Sequence, residues 1–220
     1  MNFASKLGGR ALIVLNIVAM SRRAEARQRR EGEILTAAAA IIADRGFHQT
    51  RLEDVGSAVG ISGPALYRYF SGKEDLLAQI LIDISIRLVD GGRAVLEQAK
   101  IDGWGPERTL RELLAHHVKF AVTEPDRIRV QEREGGNLAS QERAKVRSLQ
   151  RLYLAMWVEA LRSLQPGLTA DQAQMKVQLV AGLINSSRHV VKWAGSQQTS
   201  DSTFMMALAA LGIGEREWAG

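Results

Sequence analysis

An all-α protein is predicted, with a small three-helix unit ahead of a larger helical body. Three observations predict it. Apolar residues recur at three- and four-residue spacing from residue 34 onward, no stretch alternates convincingly with period two, and helix-start signals and glycines divide the chain into helix-sized pieces. The 220 residues suffice for two domains, and 46% apolar with 24% charged residues is the balance of a globular chain. The absence of cysteine excludes disulfides, thiolate metal sites and thiol nucleophiles, and suits a reducing cytoplasm.

Charge is placed unevenly. Residues 1–30 carry seven basic groups (Lys6, Arg10, Arg22, Arg23, Arg27, Arg29, Arg30) against Glu25, a net +6, so the other 190 residues sum to −1. Such an arm suits a polyanion, and equally a solvated tail. Residues 1–28 are read as a basic, disordered extension. Its apolar run Ala11–Met20 is shorter than the roughly 20 residues a membrane span needs. No small-residue cleavage site follows it, and translation beginning at Met20 explains the segment as well.

Ile34, Leu35, Ala38, Ile41 and Ile42 lie on one face of a first helix that Gly46 is placed to end. Thr50-Arg51-Leu52-Glu53 reads as a capping box opening a second helix, with Leu52, Val55 and Val59 inward. Gly60 ends it, and Ser62 caps a third helix with Pro64 in its first turn. Ser71-Gly72-Lys73-Glu74 reads as another capping box. It starts a long helix carrying Leu76, Leu77, Ile80, Leu81 and Ile84, which Gly91-Gly92 is expected to kink or end. After the loop 102–106, helices are expected near 107–123, 126–139, 141–165, 170–194 and 200–213.

Two helices of about eight residues joined by Val59-Gly60-Ile61-Ser62 have the form of a helix-turn-helix, whose second helix enters the major groove of DNA. Leu66 and Phe70 share the inward face of that helix, leaving Ser62, Gly63, Pro64, Tyr67 and Arg68 toward solvent or DNA. Arg68 suits guanine or phosphate and the Tyr67 hydroxyl suits phosphate. A surface stacking cluster without nucleic acid has the same composition.

The run His48-Gln49-Thr50-Arg51-Leu52-Glu53-Asp54-Val55, then Val59-Gly60-Ile61-Ser62, then Ala65-Leu66-Tyr67-Arg68-Tyr69-Phe70-Ser71-Gly72-Lys73-Glu74-Asp75-Leu76-Leu77 resembles the DNA-binding domain of tetracycline-repressor-type (TetR) regulators, as does Ala43–Phe47 before it. The resemblance implies a DNA-binding domain over 29–75 and a helical ligand-binding and dimerisation domain over 76–220. It implies that Thr50 caps the second helix and touches phosphate, that Ser62, Gly63, Pro64 and Arg68 face the groove, and that Tyr67 and Lys73 grip phosphates. With Gly63-Pro64 in the groove, base readout falls to Arg51, Tyr67 and Arg68, or to DNA shape. The expected partners are double-stranded DNA, a second copy of the chain and a small-molecule effector; no cofactor, metal or membrane is expected.

Residues beyond 85 carry no motif of comparable strength. By resemblance the last two helices pair with their mates in a homodimer, offering Val177, Val180, Ala181, Ile184, Val191, Phe204, Met205 and Leu208 beside Gly182, Ser186 and Ser187; ordinary core uses the same residues. Candidates for an effector pocket are Trp104, His117, Phe120, Arg129, Glu132, Tyr153, Trp157, Asn185, His189 and Trp193, each equally at home in a core. Segment 129–157, with Gln131-Glu132-Arg133-Glu134 and Tyr153-x-x-x-Trp157, is similar to actinobacterial members governing lipid or acyl-CoA metabolism. A cytoplasmic, ligand-responsive repressor on a palindromic operator is the function implied. The alternatives are a DNA-binding regulator governed by a protein partner or by no ligand, and a helical enzyme. Against the enzyme, none of the four histidines sits in an HExxH pattern, and no GxSxG, P-loop or GxGxxG occurs.

Overall fold

The computed structural model describes the backbone of residues 3–214 and the side chains of residues 22–214; among these residues there are helices and no strand. The elements are α1 (Phe3–Arg45), α2 (Leu52–Ala58), α3 (Gly63–Leu66), α4 (Lys73–Asp102), α5 (Pro106–Thr123), α6 (Pro125–Glu134), α7 (Ser140–Leu164), α8 (Ala170–Ser186), α9 (Val191–Ala194) and α10 (Ser196–Ala210), with short 3-10 turns at Gly135–Asn137 and Ser187–His189.

The first difference from expectation is at the N-terminus. Residues 3–28 are helical and continuous with the rest of α1. The segment contains no proline, and its arginines, alanines and leucines are good helix formers. The side chains of Ala11–Met20 lie outside the described residues, as do those of Lys6 and Arg10. Among the described residues no helix is long and apolar enough to cross a membrane.

Ile34, Leu35, Ala38 and Ile42 of α1 are buried with Phe47, Leu52, Val55, Leu66 and Phe70, which closes the small domain around one core. Gly46 ends α1 in the left-handed conformation, φ 87°. Neither capping box forms. The Thr50 hydroxyl is buried and donates to the Gly46 carbonyl at 2.9 Å, so α2 starts after Arg51 with no side-chain cap. At α4 the cap position falls on Gly72, and it is Asp75 that accepts from the Ser71 N–H (2.8 Å) and hydroxyl (3.1 Å). Ser62 occupies the cap position of α3 without a side-chain bond. The α3 helix itself is one turn, Gly63–Leu66, and continues to Phe70 only as a tight turn in which Arg68, Tyr69 and Phe70 donate to Ala65 and Leu66 carbonyls. The tightness of the helix-turn-helix rests on Gly56, where a Cβ would stand 2.8 Å from the Ile61 carbonyl oxygen.

In the larger domain, α4 packs along α5 and α7, and α8 and α10 close the other side against α5. The pair Gly91-Gly92 does not end α4, which runs on to Asp102. These glycines instead let neighbours approach, since a Cβ on Gly92 would meet Met156 Sδ at 2.8 Å and the Tyr153 ring at 3.0 Å, and one on Gly91 would overlap the His116 ring. The expected helix 126–139 stops at Glu134, and the expected 170–194 breaks after Ser186 into a 3-10 turn and α9.

Candidate DNA interface and effector cavity

Most of the residues expected at DNA are accessible on the small domain. Arg51, Ser62, Pro64, Tyr67 and Arg68 are exposed and Gly63 is half-buried; Tyr67, at 55% exposure, is a large apolar ring left in solvent. Thr50 does not belong to this set, because its hydroxyl is spent on Gly46 and its side chain is closed off from any phosphate. Lys73 is half-buried, with Nζ donating to the His48 carbonyl at 3.3 Å and lying 4.6 Å from the centre of the Phe47 ring. Those contacts hold it at the domain edge with further N–H donors to offer.

Arg27 and Arg30, expected in a DNA-reaching arm, are used on the domain itself. Arg27 donates to the Arg68 carbonyl at 3.2 Å, stacks 5.5 Å from the Tyr69 ring centre and pairs with Glu31. Arg30 donates to the Val59 carbonyl in the helix-turn-helix turn and pairs with Glu33. The basic run thus braces the back of the recognition element while Arg22, Arg23 and Arg29 stay exposed. Nothing in the spacing distinguishes these two arginines from their neighbours, so only the packing separates them.

Between α4, α5, α6, α7 and α8 lies a cavity of about 420 Å³. Its floor is formed by buried Ser85, Leu88, His117, Tyr153 and Ala181, and its mouth by exposed Arg147, Arg151, Gln174 and Gln178. Of the residues expected in a pocket, His117, Glu132, Tyr153 and Asn185 line it. The fully buried Trp157 stands behind the wall, edge-on to His117 (5.3 Å between ring centres) and to Tyr153 (5.6 Å). The other candidates lie elsewhere. Trp104 is in the α4–α5 loop under Arg108, Phe120 is buried beneath Arg87, and Arg129 points to the Ala43 carbonyl. His189 is exposed, and so is Trp193, at 77%. Sequence reasoning missed the arginines and glutamines of the mouth, which carry no signal apart from the fold that brings α7 and α8 together.

His117 Nε2 lies 3.1 Å from Asn185 Oδ1, and its ring is stacked on Tyr153 with centres 5.5 Å apart. Burial drives His117 down to about 4, against the raising effect of the Asn185 hydrogen bond and with a small further push from His116. The ring is therefore neutral at physiological pH. Burial likewise pushes the Tyr153 phenol well above its ordinary value. His117 Nδ1 and Gln131 Oε1 are closed to solvent and have no hydrogen-bond partner among the described residues, and the equally enclosed Tyr153 hydroxyl has Trp157 as its side-chain hydrogen-bond neighbour.

The α6 helix connects the two regions. Gln131 and Glu132 line the cavity, and Glu132 is ion-paired with Arg188. From the same helix, Arg129 and Arg133 reach the Ala43 carbonyl near the end of α1, and Glu134 accepts from the Phe47 N–H at 3.4 Å. Buried Arg127 bonds Asp83 of α4 (2.5 Å), Thr36 of α1 (3.1 Å) and Glu124 (2.8 Å).

Most of the apolar residues expected at a dimer surface are core. Val177, Val180, Ala181, Ile184, Val191 and Leu208 are buried within the chain, Phe204 is half-buried and Ser187 is buried. The residues left outside are Met175, Leu179, Gly182 and Ser186 on one face of α8, with Met205 and Met206 on α10.

With this geometry in place, comparison with known proteins decides the family. Residues 34–80 match "Bacterial regulatory proteins, tetR family", and residues 103–200 match "Tetracyclin repressor-like, C-terminal domain". The chain belongs to the TetR family. It is a DNA-binding transcriptional regulator, and the family is one of dimeric regulators rather than enzymes. Among curated relatives, the transcriptional activator FasR of Mycolicibacterium smegmatis is 36% identical over 70 residues, 32% of each chain. The match thus spans about a third of that relative's length. The repressor KstR2 of Mycobacterium tuberculosis is 27% identical over 143 residues, 64% of this TetR-family chain and 70% of KstR2. The solved structure of that ketosteroid transcriptional regulator superposes with a TM-score of 0.65 at 23% identity, covering 84% of this chain and 96% of KstR2. A FadR structure from Bacillus subtilis, in complex with stearoyl-CoA, gives 0.60 at 19% identity over 81% and 97%. At these identities the structures speak for the fold.

Proposed function

We propose that the chain is a cytoplasmic repressor that binds a palindromic operator as a homodimer and is controlled by a lipid-derived acyl thioester seated in the cavity between α4 and α8. The observation that carries this reading is the cavity with α6 beside it, one side of the helix lining the site and the other holding the end of α1. A ligand that prefers one position of α6 shifts the spacing of the two recognition elements by its differential affinity for the two states. Glu132, shared between the cavity wall and the pair with Arg188, is the place where a ligand first meets that helix.

The arginines of α7 favour an anionic head group. Arg143, Arg147 and Arg151 recur every four residues on one helix face, and two further recesses, about 280 and 390 Å³, share Arg143 and Arg147 with each other and adjoin the main cavity through Arg147. A nucleotide-bearing thioester has phosphates for this strip and an acyl part for the cavity. The relatives that regulate ketosteroid and fatty-acid metabolism support the same class.

At DNA we assign Arg51, Ser62, Gly63, Pro64, Tyr67, Arg68 and Lys73 to the contact surface. The test is fluorescence anisotropy on the DNA upstream of the chain's own gene, across a salt series with unrelated DNA as competitor. Arg68→Ala is expected to cost about 1–3 kcal/mol of specific affinity and relax base preference, and Tyr67→Phe to weaken all sequences alike. Full affinity in both variants would place the DNA surface elsewhere. Acyl thioesters that leave the operator complex intact at every concentration would remove the effector assignment but not the DNA-binding one.

A further inference from the structure

We propose that Arg127 is a positioning residue that fixes the angle of the small domain on the body, and with it the half-site separation that the dimer accepts on DNA. This rests on the reading of the chain as a dimer on a palindromic operator and names the contact that sets the spacing.

The Arg127 side chain is buried, and each of its nitrogens is committed to a different place. Nε is paired with Glu124 at the junction of α5 and α6 (2.8 Å), and one terminal nitrogen donates to Asp83 Oδ2 of α4 (2.5 Å). The other donates to Thr36 Oγ1 of α1 at 3.1 Å. Glu124 is itself held by Arg87 of α4. Two carboxylates of the body thus orient a planar fork whose third arm is aimed at the small domain. Polarity agrees at the far end. The Thr36 hydroxyl donates its proton to the Gly32 carbonyl at 2.9 Å, so its oxygen accepts from Arg127.

Both α4 and α6 pack against α1. Among the described residues, α6 bonds the small domain at two places. Arg129 and Arg133 reach the Ala43 carbonyl and Glu134 accepts from the Phe47 N–H, all at 3.4 Å, long for such bonds. Arg127 reaches Thr36, seven residues before Ala43, which is about two turns or about 10 Å along one side of α1. A rod held at one end pivots, whereas a rod held at two separated points keeps its direction. The bond to Thr36 is the shorter of the two attachments and carries the charge, so it is the one that prevents the pivot. The direction of α1 in turn carries the recognition element, because Ile34, Ala38 and Ile42 share their core with Leu66 and Phe70.

The recognition elements of such a dimer meet half-sites about one DNA turn, or a multiple of it, apart. One added base pair moves a half-site by about 3.4 Å and rotates it by about a tenth of a turn. A small domain fixed at both Thr36 and Ala43 does not follow that change, and one fixed at Ala43 alone does.

The experiment is fluorescence anisotropy of the full chain on the palindrome upstream of its own gene, and on duplexes with one base pair inserted or removed at its centre. Thr36→Val removes the acceptor yet keeps a β-branched side chain at an exposed helix position, and Thr36→Ser keeps the acceptor. The wild type and Thr36→Ser are expected to bind the natural spacing about tenfold or more tightly than either altered one. In Thr36→Val that ratio should fall to about threefold or less. Arg127→Met removes the same bond from its other end, and combining it with Thr36→Val should lower the ratio no further. A merely structural role would weaken all three duplexes alike, and an unchanged ratio in Thr36→Val overturns the proposal. Equal loss of the ratio in Thr36→Ser and Thr36→Val overturns it too, as does a wild type indifferent to spacing. Should Arg127→Met fold poorly, the two Thr36 variants still decide. Binding by the wild type separates the two levels of the argument: specific binding with the ratio unmoved in Thr36→Val sinks this proposal alone, whereas no specific binding to any duplex sinks the reading beneath it.

Discussion

Replacing His117 by glutamine should change how stability depends on pH, by an amount the structure supplies. His117 titrates near 6.5 in an unfolded chain and at about 4 in the fold, because burial penalises the charged ring. With the folded value depressed, acid protonates the unfolded chain first. The stability is complete above about pH 6.5 and is lost as pH falls from there toward 4. Each unit is worth about 1.36 kcal/mol, so the full loss is about 3 kcal/mol, of which about 2 kcal/mol falls between pH 7.5 and pH 5. Glutamine retains an N–H for Asn185 and has nothing to protonate. The assay is urea unfolding of both proteins at the two pH values, at one fixed protein concentration because unfolding of the proposed dimer depends on concentration. Carboxylates elsewhere contribute equally to both and cancel in the difference. Wild type should lose about 2 kcal/mol more than His117→Gln on going to pH 5. Parallel losses in the two proteins would refute the reasoning, since they would mean that the ring is hydrated or already charged in the fold.

Other perturbations test the packing. Gly92→Ala places a methyl 2.8 Å from Met156 Sδ and 3.0 Å from the Tyr153 ring, so it should cost about 1–3 kcal/mol and blunt the effector response while operator binding by the free protein persists; an unchanged melting temperature and response would show that α7 yields freely. Leu179→Lys, alone or with Met206→Lys, changes residues that are 67% and 60% exposed in the single chain and should shift the dimer toward monomer by light scattering. A dimer of full strength in the double variant would mean that the subunits meet through another face.

Much of the fold was legible in the sequence because it depends on neighbours along the chain. Helix positions followed from apolar spacing and from breakers such as Gly46 and Pro106, and the helix-turn-helix followed from two short helices around Gly60. The run from His48 to Leu77 carried the family resemblance within a single stretch. The exposure of Tyr67 and Arg68 was legible for the same reason, since the inward spacing of Leu66 and Phe70 leaves them on the outer side.

Tertiary structure decided whatever depends on which surface meets which. The period of α8 says that a face with Val177, Val180 and Ile184 is apolar, but not that the chain's own α5 and α10 cover it, leaving Met175 and Leu179 outside. Thr50 had the sequence of a helix cap, yet a closer acceptor, the Gly46 carbonyl, took its hydroxyl. Gly91-Gly92 looked like a break and proved to be room for His116 and Tyr153. Arg27 and Arg30 looked like an arm for DNA and brace the turn instead. His117, Tyr153 and Asn185 come from three helices, 36 and 32 positions apart along the chain, and only packing makes them one wall. Local spacing determines which face of a helix is apolar and where the helix stops; the choice of partner for that face, and for each polar group, belongs to whatever the folded chain brings nearest.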